Sequence, residues 1–440
     1  MRHARFALYG VLVVLVFWTQ TSARIEGTGA IASKHDLAVE LHATKEAPGA
    51  WPMGAEAPYR YRWLFRELVL GAERLSPSFQ TEEGFYRLFV FCSGLSLLLS
   101  CLAFDLLLRR LGFDERLATL GVVLYLAGFP ILFAYDMPIH TREDLLENSV
   151  FCLALVAVVA DRPVATVLLV CLAANVREMG LLAAVPFWFC SRRPRSVRLG
   201  VVAAATVGAL LVTSIRELAP RIPWFLDRTV WHPEGYQTTL SAPFEGTLYA
   251  FVCFGALWFA AFFGARRRRE RLGPEASARD LLGFPQAPLC VFLALASSVA
   301  LGQVREVRTV YLAFPWVVPL ALEYFRQEGR EDSKLVRARV AAGIVFALGA
   351  LFLTRVASDP EFVKAFRSHF GGSFQPGFEA PTETVLVDEH TGEKLDTVLV
   401  WPYRASPWNG VVLVFHAALS AGIIAARVGG WVRARKEPGR

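Results

Sequence analysis

The chain has 440 residues, of which 54% are hydrophobic and 19% are charged, and its formal net charge is +7. A nucleic-acid-binding protein would gather its arginines on one soluble face. Here they lie between apolar blocks, which excludes nucleic acid as the expected partner. Backbone groups inside a bilayer need internal hydrogen-bond partners, so such blocks must be helices. The composition therefore predicts an all-α polytopic membrane protein.

The hydropathy pattern predicts about twelve transmembrane helices. The fourth, fifth and sixth are shorter than the roughly 20 residues that a full crossing needs, which indicates tilted or re-entrant helices. The first predicted helix follows Arg2 and Arg5 and precedes small residues at 21–23. This pattern is typical of a secretory signal that is cleaved, and equally of a first helix that is retained. The predicted spans are 6–20, 87–108, 117–135, 146–160, 163–175, 178–190, 199–215, 247–264, 286–302, 309–324, 340–354 and 409–427.

Clusters of arginine set the orientation of these spans, because basic residues in short loops stay in the cytoplasm. With the N-terminus inside, both termini are cytoplasmic in an inner (plasma) membrane. The long loops 21–86 and 355–408 then face outward. The clusters placed inside are 109–110, 192–195, 266–269, 326–339 and 433–440.

Three units follow from this topology: a transmembrane domain at 1–354, an outer loop at 355–408, and a last helix with a basic tail at 409–440. Within the outer loop, β-branched runs at 384–387 and 397–400 flank a turn. This pattern predicts a small β-hairpin lid.

Ionisable groups near membrane depth are costly, which makes them candidates for function. The first such cluster, in the loop after span one, contains Asp36 and Glu40, then Arg60 and Arg62 among aromatic residues. Those guanidinium groups suit bidentate phosphate binding. An interfacial helix whose arginines contact lipid headgroups is the alternative.

A second cluster follows span three and contains Asp136 and His140, which are suited to proton transfer. For Arg142 to Asp144, the alternative is a solvated turn that caps the next helix through Thr141 or Asp144. Asp136, at the mouth of the helix, is the stronger candidate.

Two further clusters place arginine and glutamate together at span ends. Arg177 and Glu178 lie between two short apolar segments, where isolated charges would cost several kcal/mol. We expect substrate contact there, with a structural ion pair as the alternative. Arg305 and Arg308 share a helical face before span ten, where phosphate binding and interfacial anchoring are both open.

Taken in order, these segments resemble the bacterial branch of the GT-C glycosyltransferase superfamily. They lie between residue 36 and about residue 320, roughly two thirds of the chain. The segments that carry the resemblance are 58–64 (Pro-Tyr-Arg-Tyr-Arg-Trp-Leu), 135–138 (Tyr-Asp-Met-Pro), 175–182 (Asn-Val-Arg-Glu-Met-Gly-Leu-Leu) and 306–308 leading into 314–315.

The resemblance implies an inverting transferase that moves a hexosyl or pentosyl group from a polyprenyl-phosphate donor at the outer membrane surface. It implies an acidic residue of the first outer loop as the base, here Asp36 with Glu40 behind it. Asp136 is the third catalytic candidate. The substrate-binding residues predicted from the polar clusters are Arg60, Arg62, Arg177, Glu178, Arg305, Arg308 and His140.

Such a reaction needs one carboxylate as base and cations to stabilise the leaving lipid phosphate. The expected partners are membrane lipid, the polyprenyl-linked sugar and a glycan or lipid acceptor, with no metal or other cofactor. The competing interpretations are a secondary transporter or flippase, a lipid-linked glycan polymerase or ligase, and a non-catalytic assembly protein. Transporters generally show repeats and midplane charges, whereas here the polar clusters lie at outer span ends, which favours a transferase.

Overall fold

The computed structural model describes residues 2–21, 63–128, 131, 144–216, 251, 253–272, 310–326, 382–387, 394–400 and 417–425. Its regular elements are mostly helical, as predicted, while the number of spans stays a prediction. The elements, numbered here in chain order, are α1 (Arg2–Thr21), α2 (Trp63–Glu73), α3 (Glu82–Arg110), α4 (Glu115–Leu126), α5 (Asp144–Val159), α6 (Pro163–Val176), α7 (Ala184–Cys190), α8 (Arg195–Arg216), α9 (Leu257–Leu272), α10 (Phe314–Phe325), β1 (Thr382–Val387) and β2 (Lys394–Val400), with 3-10 turns at Pro77–Gln80 and Glu178–Ala183.

In the described ranges, one helix is long and apolar enough to cross a membrane, judged by length and composition alone. It is the part of α3 from Arg87 to Arg110, 24 residues with a mean hydropathy of 2.0. The side chain of Thr81 caps the start of α3 by accepting a hydrogen bond from the Gly84 N–H at 3.1 Å. Shorter apolar helices lie at Arg5–Val16, Pro163–Val176, Met179–Cys190 and Val310–Phe325.

Helix α3 packs against α1, α2, α4 and α5, while α6 lies between α5 and α8, and α9 pairs with α10. Aromatic rings fill the centre where α3, α4 and α10 meet. Phe314 lies 4.9 Å from Phe104 and 4.6 Å from Tyr125 between ring centroids. Tyr311 stacks on Phe254, with ring centroids 5.1 Å apart, and this contact joins the residues before α9 to the same core.

Helix α9 extends beyond the end of its predicted span, which was residue 264. It continues to Leu272 and carries the arginines at 266–269 that the sequence analysis placed in a loop. Tertiary contacts explain the extension. Gly264 lies so close to the carbonyl of Leu320 that a Cβ would not fit, and arginines beyond it pair with Glu323 of α10.

Two helices expose apolar side chains along one face. On each helix the exposed positions are spaced by four residues, which places them on a single stripe. They are Phe91, Leu95 and Leu99 on α3, and Val164, Leu168 and Leu172 on α6, with exposed fractions of 41–71%. A water-soluble bundle would turn such stripes inward. These helices turn them outward.

The predicted pair of strands is present. β1 and β2 run antiparallel, from Thr382 opposite Val400 to Val387 opposite Lys394, with an irregularity between Leu386 and Val387. The role of this hairpin as a lid and the division of the chain into three units stay predictions.

Candidate functional site

A buried charged cluster forms where the start of α5 meets the end of α6. Asp144 is the first residue of α5 and Glu147 lies one turn further on. Helix α6 ends at Val176, and Arg177 follows with an extended backbone (φ −159°, ψ 142°). That extended residue breaks the helix and lets the Arg177 side chain reach the first turn of α5.

The Arg177 guanidinium donates a hydrogen bond through Nη1 to Oδ1 of Asp144, and its Nε lies 4.0 Å from Oε2 of Glu147. Little of this is solvent-accessible, since the side chains of Arg177, Asp144 and Glu147 are 3%, 13% and 1% exposed. Among the residues that the structure describes, no group donates to Oδ2 of Asp144. One carboxylate oxygen of the cluster thus keeps acceptor capacity.

Local sequence explains this placement. Acidic side chains in the first turn of a helix are stabilised by the partial positive charge of its N-terminus, which suits Asp144 and Glu147. Gly180 packs against the backbone of Ala173 so closely that a Cβ would collide with it. The chain therefore folds back onto α6 immediately after Arg177, and this fixes where the arginine stands.

Serine hydrogen bonds hold the first turns of α5 against α3. Ser100 donates to the Leu145 carbonyl at 2.6 Å, and Ser149 donates to the Ser96 carbonyl at 2.9 Å. Asn148 donates to the Tyr125 hydroxyl at 3.0 Å, so α4 is attached as well. The end of α5 that carries Asp144 and Glu147 is thereby fixed in position.

Helix α2 packs beside the cluster. Its Phe65 meets Phe89 of α3 edge to face, with centroids 5.7 Å apart. Both rings belong to a small core that also includes Leu146 and Val176, the neighbours of the charged residues on α5 and α6. Helix α2 begins at Trp63, the residue that follows Arg62 in the sequence.

The side chains of Arg177, Asp144 and Glu147 together carry a formal charge of −1. In a site this dry, the guanidinium suits a phosphate oxygen, and the carboxylates suit a hydroxyl group. No group of three or more His, Cys, Asp or Glu side chains placed to hold a metal ion occurs in the described ranges.

The structure describes two of the ten predicted site residues. Arg177 lies in the cluster, and Glu178 begins the 3-10 turn after it, though its side chain lies outside the described part. The sequence analysis missed the partners of Arg177, because it considered Asp144 only within the cluster after span three, with a helix cap as the alternative, and Glu147 only as part of a span. The predicted residues outside the described ranges are Asp36, Glu40, Asp136, Arg60, Arg62, Arg305, Arg308 and His140.

Other buried ion pairs lie at the opposite helix ends. Asp105 of α3 accepts from the Tyr9 hydroxyl at 2.9 Å and lies 3.6 Å from Arg5 of α1. Glu323 of α10 pairs with Arg268 and Arg271 of α9. Throughout the described ranges, the buried members of these ion pairs lie within about two turns of a helix end.

The sequence matches no protein-family model and no curated protein. Among solved structures, the chain is similar to the Archaeoglobus fulgidus oligosaccharyltransferase in its apo form, with 13% identity and a TM-score of 0.46, over 84% of this chain and 58% of that one. The same values hold for oligosaccharyltransferase AglB from that organism in complex with an inhibitory peptide and a dolichol-phosphate. Its complex with Zn and sulfate gives 16% identity and a TM-score of 0.40, over 83% and 56%. The chain thus spans less than two thirds of these neighbours, and the likeness is too distant to assign a family or an activity.

Proposed function

We propose that this chain is an inner-membrane glycosyltransferase that transfers a sugar from a polyprenyl-phosphate donor to an acceptor at the outer face. The observation that carries the proposal is the desolvated Arg177 guanidinium, held at one end of the bundle by the carboxylates of Asp144 and Glu147. A buried arginine with a fixed orientation suits the phosphate of a leaving group when that phosphate takes the place of one of the two carboxylates, because few water molecules compete for the guanidinium.

The distribution of side chains supports a location in the membrane. Helices α3 and α6 present apolar stripes outward, while Ser100, Ser149 and Asn148 hydrogen-bond in the interior. Lipid solvates the stripes without cost, and interhelical polar contacts are common between transmembrane helices.

The ion pairs support the proposed orientation. The positive-inside rule, applied to the sequence alone, assigns both residues of each ion pair to the same side of the membrane. It did so without knowledge of the contacts between them. Arg177 and Asp144 are both assigned to the outer side, whereas Arg5 and Asp105 are both assigned to the inner side. The inner assignments also include the pairs Arg193–Asp161, Arg268–Glu323 and Arg326–Glu323.

In the proposed reaction, the acceptor hydroxyl oxygen attacks the anomeric carbon while the bond from that carbon to the phosphate oxygen breaks. The electron pair leaves with the lipid phosphate, which Arg177 stabilises, and the hydroxyl proton passes to a carboxylate. A single displacement inverts the anomeric configuration. The resemblance assigns the base to Asp36, and the polar clusters of the sequence add Arg60, Arg62 and Arg308 as further phosphate contacts.

Binding of polyprenyl phosphate tests the site without knowledge of the sugar. We expect Arg177→Met to weaken binding to the purified protein by about tenfold or more, since a hydrogen bond to a charged group contributes about 1.5–3 kcal/mol. Arg177→Lys should weaken binding of polyprenyl phosphate less than Arg177→Met does. The matched control is Arg74→Met, because Arg74 is an exposed arginine at the end of α2. Wild-type affinity in a folded Arg177→Met protein would show that the site lies elsewhere.

Transfer activity tests the base. In proteoliposomes supplied with radiolabelled polyprenyl-phosphate hexose or pentose, Asp36→Asn should abolish transfer but leave lipid binding intact. Full transfer by this variant would assign the role to another carboxylate, with Asp136 and Asp144 as the next candidates.

The secondary transporter is the competing function. A transporter would place charged groups on broken helices near the bilayer midplane. The buried ion pairs in the described ranges lie near helix ends instead, which favours the transferase. Polyprenyl phosphate uptake into vesicles without any transfer would reverse this preference.

A further inference from the structure

A second charged site lies far from Arg177 along the helices, where α9 and α10 end together. Its centre is Glu323, whose side chain is fully buried. Arg271 of α9 lies 2.9 Å from Oε1 of this carboxylate, and Arg326 lies 3.3 Å from the same atom. Arg268 pairs with it as well. One carboxylate thus gathers three guanidinium groups from two segments.

The surrounding sequence does not balance this charge. The described residues at these helix ends, 264–272 and 323–326, contain six arginines against two glutamates, which leaves 6 − 2 = +4. The site is therefore cationic overall, although an acidic residue lies at its centre.

The geometry keeps two of the arginines oriented and partly accessible. The side chains of Arg271 and Arg326 are 32% and 27% exposed. Arg326 donates to the Gly112 carbonyl at 3.1 Å and lies over the Phe113 ring at 5.6 Å, which ties it to the turn between α3 and α4. Guanidinium groups that are already held in place lose little entropy when they bind a planar or tetrahedral oxyanion.

We propose that this cationic site, formed by Arg271 and Arg326 around Glu323, binds a phosphate-bearing anion at the cytoplasmic ends of α9 and α10. The cytoplasmic assignment rests on the topology in the proposed function, whereas binding itself does not. In a membrane the nearest source of such a group is an anionic lipid headgroup, and basic pockets between helices on the cytoplasmic side suit such headgroups. Soluble phosphate offers the same chemistry.

The test uses the full-length protein in detergent, with short-chain phosphatidylglycerol as one probe, short-chain phosphatidylcholine as its neutral counterpart and inorganic phosphate as the third. We expect phosphatidylglycerol to bind and phosphatidylcholine not to. Arg271→Gln and Arg326→Gln should each weaken phosphatidylglycerol binding about fivefold, in line with the contribution of one basic residue at an anionic surface. Arg195→Gln is the control, because it removes one exposed arginine from the same predicted side.

The outcomes distinguish a lipid headgroup from soluble phosphate as the ligand, and loss of binding from misfolding. Binding of phosphatidylglycerol alone identifies a lipid headgroup, and binding of inorganic phosphate as well identifies a general phosphate site. Arg271→Lys should recover part of the binding, which excludes misfolding as the cause of the loss. Equal binding of the two lipids, or equal weakening by Arg195→Gln, would overturn the proposal. Neither outcome depends on polyprenyl phosphate binding at Arg177.

Discussion

Replacing Asp105 with alanine should destabilise the bundle more than any exposed acidic substitution. The Asp105 side chain is 2% exposed, and it lies 3.6 Å from Arg5 and 3.2 Å from Arg109. Arg5 is 5% exposed and would keep only the partly exposed Glu115, 3.2 Å away, as a partner, whereas Arg109 is 35% exposed and partly screened. Removing one partner of a buried ion pair costs about 3–5 kcal/mol. Because Glu115 still pairs with Arg5, we expect Asp105→Ala to cost about 3 kcal/mol, the lower end of that range.

Asp114→Ala is the matched control, since it removes an exposed aspartate that caps α4 by accepting from the Leu117 N–H at 2.9 Å. Loss of such a cap costs about 1 kcal/mol. Unfolding in detergent can be followed with a thiol-reactive dye, because Cys101 and Cys152 are free and buried. A smaller effect of Asp105→Ala than of Asp114→Ala would refute the ion-pair reasoning. Partial recovery in the double variant Arg5→Met, Asp105→Leu would support it.

Two further outcomes are expected. Gly264→Val should destabilise the protein by about 1–3 kcal/mol, because a Cβ there would collide with the Leu320 carbonyl, whereas Gly94→Ala should have little effect because no atom of another element lies within 4 Å. The unfolding assay with the thiol dye measures both. For the topology, a membrane-impermeant maleimide should label Ser78→Cys from the outside of intact cells and Arg195→Cys only after the membrane is opened; labelling of both from outside would contradict the proposed orientation.

Within the described ranges, the sequence alone predicted much of the local structure. Helices occupy the apolar segments at 146–160, 163–175 and 199–215. A run of apolar residues can be recognised from neighbouring positions in the sequence, so no distant contact is needed to predict it. The β-branched runs at 384–387 and 397–400 form the two strands for the same local reason. Arg177 was singled out because a charge between two apolar segments needs partners, and the structure supplies them.

Tertiary structure alone decided which partners these charges have. Arg177 pairs with Asp144, 33 residues earlier, and Arg268 with Glu323, 55 residues later. Hydropathy is a local property, whereas an ion pair depends on helix packing and on a close approach such as that of Gly264 to α10. The sequence thus determined where charge must be compensated, and the packing of the helices determined which residue compensates it.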